Sequence, residues 1–345
     1  MRAVGSTDAT DATDATDATD ATDATDATSG RGRLGSASPV IRPIGVSPEL
    51  LPFANEDWYR GNRWSPADLQ PGAGGGPPGQ QTGATRFPDG AWGGYFLSVA
   101  VIGEFVRQRW LRPGGGVARY RWDQIPVPDW QGFVVADEIK ELYELIDYRP
   151  AVMAEAVTQR NAFDIYWRGL LMSAPGSHPA TIALSHIALH IGEFQAMHYK
   201  LRPGSNRPPR PRPSQISPVL MPPIAVPGHA SYPSGHATQA HLLSGLLAQV
   251  MPAAVRTALP LIVGAQPPPA LPGPLPPQPA NFRTWDGSYL ARLAERVARN
   301  REVLGMHYRS DTLAGRVVAG YTLPLLLRCP TVRNRLIPAA RLEWQ

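Results

Sequence analysis

Apolar residues along this chain recur with the spacing of helices. From His236 the positions Ala240, Leu243, Leu247 and Val250 fall on one face, the pattern of an amphipathic helix. The same periodicity predicts helices over 93–111, 137–147, 150–173, 179–200, 236–250, 288–304 and 310–327. Pro150 sits in the first turn of its helix, where its missing N–H costs nothing. A short extended piece is expected over 118–128, but no alternating apolar–polar run of strand length occurs. The expected fold class is therefore all-α, a helical bundle with long proline-rich loops at 201–227 and 267–279. Loops of that length without structure of their own usually build a site.

Residues 1–40 read as a disordered, low-complexity tail. Asp-Ala-Thr repeats seven times from 8 to 28, a period of three that matches neither helix nor strand and offers nothing to bury. Residues 41–345 are expected to form one α-helical domain with its core over about 150–325, and 41–91, rich in Pro, Gly and Trp, an irregular arm on its surface.

The tail also hides a basic body. The net charge is +5, yet residues 1–30 carry seven Asp and one Arg, which leaves the remainder at +11. The arginines gather at 202–212 beside a histidine-rich stretch, not along an exposed helix interleaved with aromatics. A buried anionic ligand is expected, and nucleic acid is not. Cys329 is the single cysteine, which excludes an intrachain disulfide and a cysteine metal site. The run 317–327 is only eleven residues long, contains Pro324 and ends at Arg328. No membrane span is expected, and without a signal-like segment a cytoplasmic location is the default. A homo-oligomer stays open.

The candidate chemistry centres on His229-Ala-Ser-Tyr-Pro-Ser-Gly-His236. Ser234 is a natural N-cap for the helix that follows. A helix N-terminus carrying a hydroxyl and a glycine is a ready anion site, with Ser234 and Gly235 as donors and His236 placed to give or take a proton. Downstream, Arg301 lies on the inward stripe of its helix, where a guanidinium is costly unless an anion meets it. His307 and Asp311, four apart at a helix start, share a face, so the carboxylate can fix the imidazole tautomer. Arg301 and His307 converge only if the helix breaks between them, and Gly305 offers that break. Upstream, Lys200 ends a helix just before Arg202, Arg207, Arg210 and Arg212. His186 and His190 are also four apart, but lack an evident third metal ligand.

Lys200-x6-Arg207-Pro, Pro-Ser234-Gly235-His236 and Arg301-x5-His307-x3-Asp311, in that order, resemble the three-part anion site shared by vanadium-dependent haloperoxidases and type 2 phosphatidic acid phosphatases, which include soluble acid phosphatases. The resemblance covers roughly 150–325. Two departures stand out. The third part begins Asn300-Arg301 where Ser-Arg is usual. The first part also admits Arg212, which precedes Pro213-Ser214-Gln215 as in bacterial members, so both arginines stay open.

The resemblance implies a helical fold and an oxyanion held by Lys200, Arg207 or Arg212, Ser234, Gly235 and Arg301. In the haloperoxidase reading the cofactor is vanadate with His307 on its vanadium, phosphate is a competing anion, and the partners are hydrogen peroxide and a halide. In the acid phosphatase reading His307 attacks a phosphomonoester, His236 protonates the leaving oxygen and a phosphohistidine forms. His229, five residues before the motif serine, resembles the algal bromoperoxidases, where related chloroperoxidases carry an aromatic. It implies bromide or iodide.

Overall fold

The computed structural model describes residues 93–111, 119–201, 208–256 and 288–345. The expected tail 1–40, the arm 41–91, the loop 267–279 and Arg207 lie outside the described residues. The described elements are α1 (Gly93–Phe105), β1 (Arg109–Leu111), β2 (Arg119–Arg121), α2 (Val135–Glu144), α3 (Arg149–Ala162), α4 (Asp164–Leu171), α5 (Pro179–Leu201) and the single turn α6 (Pro213–Ile216). They continue with α7 (Gly235–Ala248), the turn α8 (Ala253–Arg256), α9 (Tyr289–Val303), α10 (Arg309–Leu326) and α11 (Ile337–Leu342). The fold is all-α. Its strand content among the described residues is one antiparallel pair with Trp110 opposite Tyr120.

The helix α7 is the axis of the bundle, with α5, α9 and α10 packed around it and α1 against α5. The apolar spacing predicts one buried face, but all of α7 is buried. The opposite face can go inside because its polar groups find partners. Thr238 donates to Ser234 O at 2.8 Å and Gln239 to Leu189 O at 3.1 Å. Ser244 donates to Leu290 O and accepts from Trp167 Nε1, both at 2.8 Å. Each of these bonds removes the desolvation penalty that would otherwise oppose burial.

The helix expected over 150–173 is instead two. The helices α3 and α4 are separated at Phe163, and α4 ends at Met172 in the left-handed region, φ 53°. The break coincides with a packing demand: Phe163 and Trp167 both enter the core, with ring centroids 5.9 Å apart. At its N-terminus α7 begins as expected, with Ser234 Oγ accepting from Ala237 N–H at 3.3 Å.

Gly315 brings α10 onto that first turn. A Cβ there would lie 2.7 Å from Ser234 O, 2.9 Å from Ala237 Cβ and 3.0 Å from Thr238 N. Alanine is favoured over glycine inside a helix by about 1 kcal/mol. The atoms in the way are mostly backbone and cannot swing aside, so overpacking should win. Gly315→Ala is expected to lower stability by roughly 1–3 kcal/mol, read as a fall in the denaturant midpoint. A midpoint that stays or rises contradicts the close approach.

Buried histidines make the body acid-labile. Burial pushes His241 down to about 3, with Arg316 and Arg309 adding to it. Burial also takes His186 to about 4, helped by His190 and Arg168. A base with a depressed folded pKa is protonated more readily in the unfolded chain. The stability it contributes is complete above its ordinary value of 6.5 and is lost as pH falls toward 4 and then 3. Unfolding free energy should therefore fall across that window by at most about 1.4 kcal/mol per pH unit for each proton, read as a drop in Tm. His241→Gln should flatten the slope, and a Tm constant from pH 7 to about 4.5 would refute this account.

Candidate active site

Three segments of the chain meet at Asp311, in the first turn of α10. Its Oδ2 accepts from His307 Nδ1–H at 3.0 Å, from the Tyr308 backbone N–H at 3.1 Å and from the Ser231 hydroxyl. Its Oδ1 accepts from Arg210 Nη1 at 2.7 Å. Its backbone carbonyl accepts from the Ser234 N–H at 3.0 Å, which ties His307 to the entry of α7. Burial alone would raise the Asp311 pKa. The hydrogen bond from His307, the charge of Arg210 and the Ser231 hydroxyl outweigh it and hold the carboxyl well below the usual range.

His307 is thereby fixed as the Nδ1–H tautomer, with its lone pair on Nε2. That lone pair accepts from Arg212 Nη1 at 3.1 Å, since a guanidinium can only donate. Burial, with Arg212 and Lys200 adding to it, pushes the His307 pKa down to about 3 against the pull of Asp311. A neutral imidazole nitrogen and a cation thus share the same few ångströms. An anionic electrophile drawn to the guanidinium would be presented to that nitrogen.

The remaining contacts of Arg212 fasten the loop. Nη1 also donates to Met306 O, Nε to His229 O and Nη2 to His229 Nδ1, each at 3.0 Å. Of the two arginines left open by spacing, Arg212 is at His307, and Arg207 lies outside the described residues. Lys200, in the last turn of α5, donates from Nζ to Ala230 O at 2.6 Å and to Ser231 O at 3.1 Å, so it braces the segment that carries Ser231 to Asp311.

His236 and Arg301 meet on α3. His236 Nε2–H donates to Gln159 O at 2.9 Å, and its ring leans on Phe163 with centroids 5.3 Å apart. Arg301 donates from Nη2 to Ala156 O, one turn before Gln159. Asn300, where Ser is usual, donates to Gln159 Oε1 at 2.8 Å. After Arg301 the chain turns at Gly305, φ 72°, with Gly305 N–H on Glu302 O and Met306 N–H on Arg301 O at 2.8 and 2.9 Å. That turn lets residues six apart approach one region.

Lys200, Arg212, His229, His307 and Asp311 thus form one bonded cluster, with Ser234 at its edge. His236 and Arg301 form a second on α3, joined to the first through the Ser234–His236 stretch and the Arg301–His307 turn. Sequence reasoning missed four members: Glu138, Ser231, Gln159 and the role of Arg210. Arg210 carried a readable signal. In the extended Arg210-Pro-Arg212-Pro segment, residues two apart project to the same side, so both arginines can reach one site. Arg212 reaches His307, while Arg210 reaches Asp311 and Glu138. Glu138 and Gln159 sit in ordinary helical stretches, and nothing in their spacing marks them.

A search of curated protein sequences finds no significant match. No helix among the described residues is long and apolar enough to cross a membrane. The family model described as PAP2 superfamily matches residues 149–335, which is more than half of the chain. That span runs from the first residue of α3 past the end of α10 and takes in both clusters. The helical architecture and the matched span together place this chain in the PAP2 superfamily, which includes phosphatases and vanadium haloperoxidases.

Proposed function

We propose that the protein is a vanadate-dependent haloperoxidase that oxidises halide, bromide or iodide in preference to chloride, with hydrogen peroxide to hypohalous acid. The observation that carries this reading is the His307 pair of bonds: Asp311 on Nδ1 and Arg212 on Nε2. The donor set fits vanadate, being rich in cations and backbone N–H groups, with Asp311 already engaged by its own partners. His307 Nε2 would be its protein ligand, and Lys200, Arg212, Arg301, Ser234 and Gly235 would hold its oxygens. Bound vanadate would supply a Lewis-acidic centre that polarises peroxide.

The chain's own residues divide the remaining work. Asp311 keeps the His307 proton on Nδ1, so that Nε2 stays a donor of electrons. Arg212, Lys200 and Arg301 offset the negative charge of the oxyanion in a buried setting where each is worth more than in water. His236, held through Nε2 on Gln159 O, would give or take the protons that the reaction moves. His229 is half-exposed and bonded to Arg212 through Nδ1, which sets its ring beside the guanidinium that would draw in a halide.

The same geometry supports a second reading, a soluble acid phosphatase. A neutral, buried imidazole oriented by a carboxylate is also the form needed to attack phosphorus in line. His307 would become the phosphohistidine, with its Nδ1 proton retained on the Asp311 side, and His236 would protonate the leaving oxygen. Water would then release phosphate, which competes with vanadate for the same donors.

Purified protein assayed with and without orthovanadate for bromide oxidation and for phosphomonoester hydrolysis separates the two. The haloperoxidase reading expects vanadate-dependent bromide oxidation. Hydrolysis of phosphomonoesters without halide oxidation at any vanadate concentration would replace it with the phosphatase.

His307→Ala should abolish bromide oxidation, since it removes the nitrogen that joins protein and cofactor. His236→Ala should bind vanadate nearly as the parent does and lose roughly 10²–10⁴-fold in turnover, the usual worth of one general acid–base group. Asp311→Ala should weaken vanadate binding about 10–100-fold. Vanadate titrations beside turnover measurements check all three. Loss of vanadate binding in His236→Ala would move that histidine from proton transfer to anion holding.

A further inference from the structure

We infer that Glu138 and Arg210 are positioning residues that act on His307 through Asp311, Glu138 by keeping Arg210 from clamping both Asp311 oxygens. The inference rests on the reading of His307 and Asp311 as the working pair. Glu138 lies on α2, before the span that the family model matches.

Arg210 is 2% exposed and sits between two carboxylates. Nη1 donates to Asp311 Oδ1 at 2.7 Å and to the Ser310 hydroxyl, and Nη2 donates to Glu138 Oε2. The other Glu138 oxygen accepts from the Ser310 backbone N–H at 2.8 Å, at the start of α10. Below the guanidinium lies the Tyr308 ring, 3.8 Å from Cζ to centroid, and Trp130 lies 5.5 Å away. These faces fix the plane in which the guanidinium can turn.

An arginine beside one carboxylate prefers two parallel bonds, one to each oxygen. Here the second arm is engaged by Glu138, so Asp311 meets Arg210 through Oδ1 alone. Oδ2 is left to His307 Nδ1–H, the Tyr308 N–H and the Ser231 hydroxyl. The division of the two oxygens is what allows His307 a full share of the Asp311 charge. Removing the Glu138 charge while Arg210 stays would turn the guanidinium toward Oδ2, in competition with the imidazole. Removing both would end the competition.

The test reads the His307 Nδ1 proton by NMR in the full chain labelled with ¹⁵N, its resonance assigned by its loss in His307→Gln. Glu138→Gln is expected to move it upfield, as the bond to Asp311 weakens, and to weaken binding of inorganic phosphate roughly tenfold. The pair Glu138→Gln/Arg210→Met is expected to return the resonance to the parent position or beyond. A merely structural role for either residue predicts that the pair is no better than the single variant.

An unmoved resonance in Glu138→Gln, or an upfield one in the pair, overturns the inference. If thermal melts show that Glu138→Gln does not fold, the neutral pair still decides, because an upfield shift there has no competing guanidinium to explain it. No peroxide, bromide or phosphoester enters the measurement, so its failure and the failure of the proposed activity are separate results.

Discussion

The Asp311 carboxylate is the constraint on which the site depends. One residue accepts from His307, Tyr308, Ser231 and Arg210 with its side chain and from Ser234 with its backbone. These bonds join the start of α10, the segment before α7 and the arginine loop. Burying a lone carboxylate costs several kcal/mol even after relaxation. Hydrogen bonds to a charged group contribute about 1.5–3 kcal/mol each, so several of them can offset that cost. The depressed Asp311 pKa is the sign that they do. Because its donors come from several segments, this one residue holds loops and chemistry together.

The scaffold meets that demand with a helix buried on every side. A helix like α7 cannot be positioned by an apolar stripe alone, because it has no solvent face to set its rotation. Its polar side chains do that instead: Thr238 on Ser234 O, Gln239 on Leu189 O and Ser244 between Trp167 and Leu290 O. Gly315 adds a steric reference, since α10 touches the first turn of α7 at backbone distance. The N-terminus of α7 is therefore located from several sides, and Ser234, Gly235 and His236 inherit that precision.

What could be read from sequence follows the reach of each interaction. The helical class was legible because helices announce themselves within a few turns, and so was the His307–Asp311 pair, four residues apart on one face. The break at Gly305 followed from the need for Arg301 and His307 to converge. The boundary at Phe163 was not legible, because it answers to packing against a helix far along the chain. Glu138 was invisible for the same reason: its partner Ser310 is 172 residues away. Arg210 lay between the two cases. Its position beside Arg212 was plain, but its second bond, to Glu138, depended on the placement of α2.

The proposed division of labour would let one site suit two chemistries. A buried imidazole held neutral by cations and oriented by a carboxylate supplies an electron pair at Nε2 whether the atom that receives it is phosphorus or vanadium. The cations around it recognise an oxyanion's charge, which the two share. Discrimination must then lie in groups that the oxyanion does not touch directly. On the proposed reading they are the two histidines outside the His307 pair: His236, bonded through Nε2 to Gln159 O, and His229, bonded through Nδ1 to Arg212. The first would serve a leaving group or peroxide equally well, and His229, set beside Arg212, would be the residue whose replacement separates halide chemistry from hydrolysis.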